Sequence, residues 1–178
     1  MASAFSHILI PAIFYTTFKS KSVNVKLFVV AAVLSVLPDI DVVGYFYGIP
    51  YESQWGHRGF THSFAFAFGI ALLLSLFHRQ FGSRPWIVFA FCFIACASHA
   101  LLDAMTNGGL GVALFWPFSL ERIFLPFRPL VVPPIGVSSF FSEWGIRVLA
   151  SELIWVFIPA TILAVLGVIM RHIYTLRR

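Results

Sequence analysis

Gly56-His57-Arg58-Gly59-Phe60-Thr61-His62-Ser63 marks the point where a short polar loop runs into a long apolar stretch, and it carries two of the chain's six histidines. Two more polar clusters flank it: Pro38-Asp39-Ile40-Asp41 upstream and Ser98-His99-Ala100-Leu101-Leu102-Asp103 downstream. Each adjoins an apolar run, and so does His7. The spacing predicts a fold that brings the three clusters and His7 together at one membrane surface.

The chain around them has 178 residues, of which 60% are hydrophobic and 11% charged, with a mean hydropathy of +0.91. A soluble domain is about half apolar and a quarter charged. The composition therefore predicts an all-α, polytopic membrane bundle, one integral domain over 1–178. The net charge of +5 has no basic helix or stripe behind it, so nucleic acid is excluded as a partner. The N-terminus lacks the basic segment of a cleavable signal.

About five spans are expected. The first covers Ala2 to Phe18 with Pro11 inside it, and the second runs from Val23 to about Leu37, stopped by Pro38. A loop rich in aromatic residues follows over 42–56. The third span runs from Thr61, read as an N-cap, to Phe77, and the fourth from Trp86 to about Met105. The motif-bearing core is 1–110. Residues 108–146 hold five prolines and read as an interfacial connection covering the site, since irregular backbone is tolerated at membrane depth only against protein or water. The last span is 147–170.

Positive charge sorts these spans by side. Lys19, Lys21, Lys26, Arg79, Arg84, Arg171, Arg177 and Arg178 all fall in short segments at one end, which the positive-inside bias assigns to the cytoplasm. The N-terminus is then outside and the C-terminus inside. His7, Asp39, Asp41, His57, His62, His99 and Asp103 all gather at the outer end, although none of them entered the charge count.

His99 and Asp103 lie four apart and share a helix face. Ionisable groups cost about 2.5–3.5 kcal/mol each at the centre of a membrane helix. A divalent cation neutralises carboxylates and satisfies imidazoles together. Nitrogen and oxygen donors suit zinc, with manganese or iron as alternatives. A bound metal would lower the pKa of a water to about 7 and polarise a phosphoryl or acyl oxygen. Each group also has a plainer reading: Asp39 and Asp41 as helix-end caps, His57 and His62 as loop residues, His99 with Asp103 as a hydrogen-bonded pair. Arg58 could bind a phosphate or pair with an aspartate. Arg122 and Arg128 could hold a lipid headgroup or an anionic substrate. Cys92 and Cys96 share the face of His99 and Asp103 but read as packing residues.

His7, Pro38-Asp39-Ile40-Asp41, His57 to Ser63 and His99-Ala100-Leu101-Leu102-Asp103 resemble the YdjM-type family of bacterial inner-membrane proteins, described as metal-dependent hydrolases. The order of these residues is also distantly similar to that in zinc-dependent phospholipase C and the S1/P1-type nucleases. The resemblance implies a bacterial inner-membrane location. It also implies one or two ions held by His7, Asp39, Asp41, His57, His62, His99 and Asp103. The expected function is hydrolysis of an ester or phosphoester, a lipid among the candidates, at the outer face. Asp39 or Asp41 would be the general base and Arg58 the stabiliser of developing negative charge. The alternatives are a non-catalytic metal or proton transporter and a stress-linked membrane factor.

Overall fold

The computed structural model describes residues 1–133 and 140–176. Arg177 and Arg178, counted above among the basic residues of the inner end, lie outside them. Among the described residues there is no strand, only two isolated bridges, Thr106 with Leu130 and Val112 with Ile123. Five helical rods make the bundle: α1 (Ala4–Phe18), α2 (Val25–Leu34), α3 (Phe64–Ser75), α4 (Pro85–Ala104), and a last rod in which α5 (Glu143–Glu152) passes through a π turn (Leu153–Phe157) into α6 (Ile158–Leu176). Three runs, Val25–Tyr47, Pro85–Ala104 and Glu143–Tyr174, are long and apolar enough to cross a membrane; Ala4–Phe18 and Phe64–Ser75 are shorter apolar helices.

The boundaries differ from expectation at several points. Pro38 does not stop the second rod. The α-helix already ends at Leu34, and Pro38 sits in the first turn of a 3-10 helix, Leu37–Tyr47, where its missing N–H is no loss. Residues 42–47, expected as loop, are therefore helical. Thr61 is not a helix cap. It lies in a 3-10 turn, Phe60–His62, and Ser63 caps α3 by accepting the Phe66 N–H at 3.0 Å. The last rod begins at Glu143 rather than 147.

Small side chains bring the rods close. Ala31 of α2, Ala67 and Ala71 of α3, and Cys92, Ala95 and Cys96 of α4 are buried together with Leu27, Leu34, Val88 and Phe91. Membrane helices pack through such residues because backbones must approach closely when lipid supplies no hydrophobic drive. Large apolar side chains point outward instead: Val29, Val33, Phe68, Leu72, Leu163 and Leu166 are exposed. Both cysteines are free and buried in this cluster, as packing residues.

The polar clusters meet at the other end of α4. Residues 105–133 fold across it, fastened by Leu125 N–H to Ala104 O (2.9 Å), Phe64 N–H to Leu114 O (3.0 Å) and Ala113 N–H to Arg58 O (3.0 Å). The N-terminus is at this end, since the Ala2 N–H reaches Asp103. Arg171 is at the far end, where it donates to Thr16 O at the close of α1.

Candidate metal centre

Three helical segments deliver four side chains to a common point. Asp39 comes from the 3-10 helix after α2, His62 from the turn before α3, and His99 and Asp103 from the last two turns of α4. His62, His99 and Asp103 are fully buried, while Asp39 keeps 18% of its side chain exposed.

The protonation of each ring follows from its outer partner. His99 Nδ1 lies 2.8 Å from the Ser35 carbonyl oxygen, which can only accept, so Nδ1 carries the hydrogen and Nε2 presents a lone pair. His62 Nδ1 lies 3.1 Å from Asp41 Oδ2, so the same tautomer turns its Nε2 inward. The two Nε2 atoms face each other at 3.0 Å. Asp39 Oδ1 stands 3.5 Å from His62 Nε2 and 3.3 Å from His99 Nε2. Asp103 Oδ2 stands 3.6 and 3.9 Å from the same two atoms. Neither of these carboxylate oxygens has a hydrogen-bond partner, and both are buried.

With His62 neutral, four acceptors converge here without a donor. Burial lowers the pKa of His62, but the carboxylates of Asp103, Asp39 and Asp41 outweigh it and raise it to about 10, so a cation would have to displace a proton from this ring. Bonds of about 2.0–2.2 Å to one ion would set the corners of a tetrahedron about 3.3–3.6 Å apart. Five of the six separations run from 3.0 to 3.9 Å and bracket that range, and all four atoms lie within 4.8 Å of one another. Charge agrees. The side chains of Asp39, Asp41 and Asp103 against Arg58 leave minus two, and the Met1 amino group, 3.7 Å from Asp103 Oδ2, brings this to minus one where it is protonated, so the pocket carries an excess of negative charge that favours a cation.

Asp41 stands behind His62. Its Oδ2 accepts from the Thr61 hydroxyl at 2.6 Å and from the Arg58 N–H at 3.2 Å, and its Oδ1 pairs with His57 Nδ1 at 2.7 Å. Asp41, His57 and His62 also form a group close enough to hold an ion. A 2.7 Å separation is, however, a hydrogen-bond length, shorter than the spacing two ligands of one ion require. Carboxylates placed this way fix the ring and tautomer of a metal-binding histidine. Burial lowers the pKa of His57 below its ordinary value, outweighing the opposing pull of Asp41. His57 is thus neutral at pH 7, with Nδ1–H given to Asp41.

His7 is buried beside this group but is not one of the four converging residues. Its ring stacks on His99 with centroids 3.8 Å apart, and its Nε2 is 3.5 Å from Asp103 Oδ1. Arg58 is fully buried. Its Nε lies 3.3 Å from Asp103 Oδ2, and it donates to Gly108 O and Thr106 Oγ1, both at 2.9 Å. Its backbone is left-handed, with φ 64°, an uncommon conformation for a side-chain-bearing residue. Gly109 gives the guanidinium its room, since a Cβ there would lie 2.8 Å from Arg58 Nη1. Arg122 and Arg128 sit in the covering segment, away from the four. Arg122 donates to the carbonyls of Tyr51, Ser53 and His57, holding the 51–57 loop, and burial lowers its pKa. Arg128 lies over the Phe124 ring.

Some contributors escaped the sequence reading. The Ala2 N–H donates to Asp103 Oδ1 at 2.6 Å, and Ser3 donates through its N–H and its hydroxyl to Glu152, a fully buried carboxylate of the last rod. The Ser35 carbonyl behind His99 is a backbone group with no signature in sequence. Glu152 carried a signal, as a lone carboxylate at the start of an otherwise apolar run.

Beside the four residues lies a cavity of about 900 Å³, bordered by Asp39, His57 and Arg58 on one side and by apolar residues on the other.

The sequence model of the family described as "YdjM inner membrane protein" matches residues 1–174. The chain is 36% identical over 167 residues to "Inner membrane protein YbcI" of Escherichia coli strain K12, covering 92% of this chain and 95% of that one. No solved structure matches.

Proposed function

The chain belongs to the YdjM inner membrane protein family, and we propose that within it Asp39, His62, His99 and Asp103 hold one divalent cation, with zinc the best fit, for the hydrolysis of an ester or phosphoester. The convergence of four ligand atoms within 4.8 Å of one another, with two of them buried carboxylate oxygens that accept no hydrogen bond, carries this proposal. When bound, the ion would act as a Lewis acid, and lowering the pKa of a water would need a coordination position beyond these four side chains.

The remaining roles belong to the chain's own side chains. His57, held by Asp41 at 2.7 Å and bordering the cavity, is placed to take a proton from the attacking water and return it to the leaving alcohol. In this assignment Asp41 orients the base instead of serving as it, and Asp39 is a ligand. Arg58 borders the cavity with a guanidinium positioned for negative charge on the transferred group. Arg122 and Arg128 would shape the cover and meet headgroups at its rim.

The site faces outward in this proposal. Lys19, Lys21, Lys26, Arg79, Arg84 and Arg171 flank the helix ends away from the cluster, and positive charge favours the cytoplasm.

The test is purification in detergent, metal analysis, and assay on a panel of carboxylic, phosphomonoester and phosphodiester substrates, repeated for His99→Ala, Asp103→Ala and His57→Gln. The proposal expects turnover in the wild type, loss of metal and turnover together in the first two, and loss of turnover with metal retained in the third. Reversible metal binding without turnover on any substrate would sink the hydrolase and leave a transport site.

A further inference from the structure

The cavity beside the four residues is mostly apolar. Ala4, Phe5, Val42, Phe141 and Leu149 give most of its lining, and Asp39, His57, Arg58 and the phenols of Tyr45 and Tyr51 give its polar part. At about 900 Å³ it is near the upper end of the roughly 300–1,000 Å³ usual for small-molecule sites. Its wall is built from opposite ends of the sequence, the start of α1 and α5, so it forms only when the last rod docks against the first.

The surroundings say what fills it. Phe5, Phe141, Ile146 and Leu149 are exposed. On a chain of membrane-crossing helices such residues face hydrocarbon. His99 lies five residues from the end of α4, so the centre sits about 7.5 Å inside that end. The cavity thus places exposed apolar side chains and the Arg58 guanidinium around one space. A water-soluble ester would leave its apolar part unfilled, whereas an acyl chain matches it.

We infer that the substrate is a membrane lipid with an anionic head, its acyl chain lying along Phe5, Phe141 and Leu149 and its head meeting Arg58 beside the ion held by Asp39. This rests on the hydrolase proposal for the reacting end, but the apolar cavity stands apart from it.

The experiment is native mass spectrometry of the metal-loaded, detergent-purified protein with dipalmitoyl and dihexanoyl phosphatidylglycerol at equal concentration. It is repeated for Ala4→Trp and Leu149→Trp, which fill the cavity from two different helices without touching a polar residue. The wild type should retain the long-chain lipid at least roughly tenfold better, since each buried methylene contributes. Both variants should lose that preference while keeping their metal, which shows that they have folded. Equal retention of the two lipids, or variants that keep the wild-type preference, would overturn the inference. Tail-selective retention in a protein that hydrolyses neither lipid would uphold the lipid site and defeat only the hydrolase.

Discussion

Helix α4 has two stretches that share one buried face and do opposite things. Cys92 and Cys96 around its middle, on the packed side, and His99 and Asp103 in its last two turns follow helical spacing and are all buried. The cysteines lie among Leu27, Ala31, Ala67 and Ala71, where shape decides the packing. His99 and Asp103 lie among Asp39, His62, His7 and Arg58, where the groups they meet are carboxylate, imidazole and guanidinium. The helix does not distinguish these places; the elements docked against it do. A stripe of potential ligands becomes a site only where other segments bring complementary atoms to the same depth.

The largest effect should separate the two stretches outright. His99→Ala or Asp103→Ala should weaken metal binding by more than the roughly 10–100-fold that losing an outer hydrogen-bond partner costs, while Cys92→Ala leaves it unchanged. Metal analysis and competition with a chelator report both, and metal loss in Cys92→Ala would erase the distinction. Asp41→Asn should fall within that 10–100-fold range, because it leaves His62 in place but withdraws the carboxylate behind its Nδ1. Against the packed stretch, Ala71→Leu should cost about 1–3 kcal/mol of stability through overpacking with metal affinity intact, read by thermal melts beside the same chelator assay. The smallest effect is a pH dependence. Burial holds the folded pKa of His57 below its ordinary 6.5, so the unfolded chain takes up the proton first as the pH falls. Stability should therefore drop on acidification below about pH 6.5, and His57→Asn should flatten that part of the curve. A melt profile from pH 7 to pH 5 that is the same in both proteins would remove His57 from the account.

Much of this was legible in the residues, for definable reasons. Hydropathy located the rods, because membrane helices must be apolar over most of their length. Spacing placed His99 with Asp103 on one face, and charge sorting put the seven candidate ligands at one end. Sequence could not divide those seven by role. Asp39 and Asp41 are two residues apart, yet one faces His99 Nε2 and the other His62 Nδ1, because the 3-10 helix turns them differently than a helix stop at Pro38 would. Thr61 looked like a cap because hydroxyls precede helices; with Ser63 in that position, its own hydroxyl is left for Asp41. Backbone partners, the Ser35 carbonyl and the Ala2 N–H, could not be read at all, since every residue carries such groups.

The central claim is that Asp39, His62, His99 and Asp103 surround one cation. X-ray absorption spectroscopy at the metal edge of the purified, zinc-loaded protein tests it most directly. The account expects four or five light-atom neighbours at about 2.0–2.2 Å, four from the side chains and a fifth where water joins them, with imidazole scattering from two rings that falls to one in His99→Ala. Sulfur at about 2.3 Å would move the ion to the cysteine stretch of α4, and an edge without imidazole scattering would contradict the site altogether.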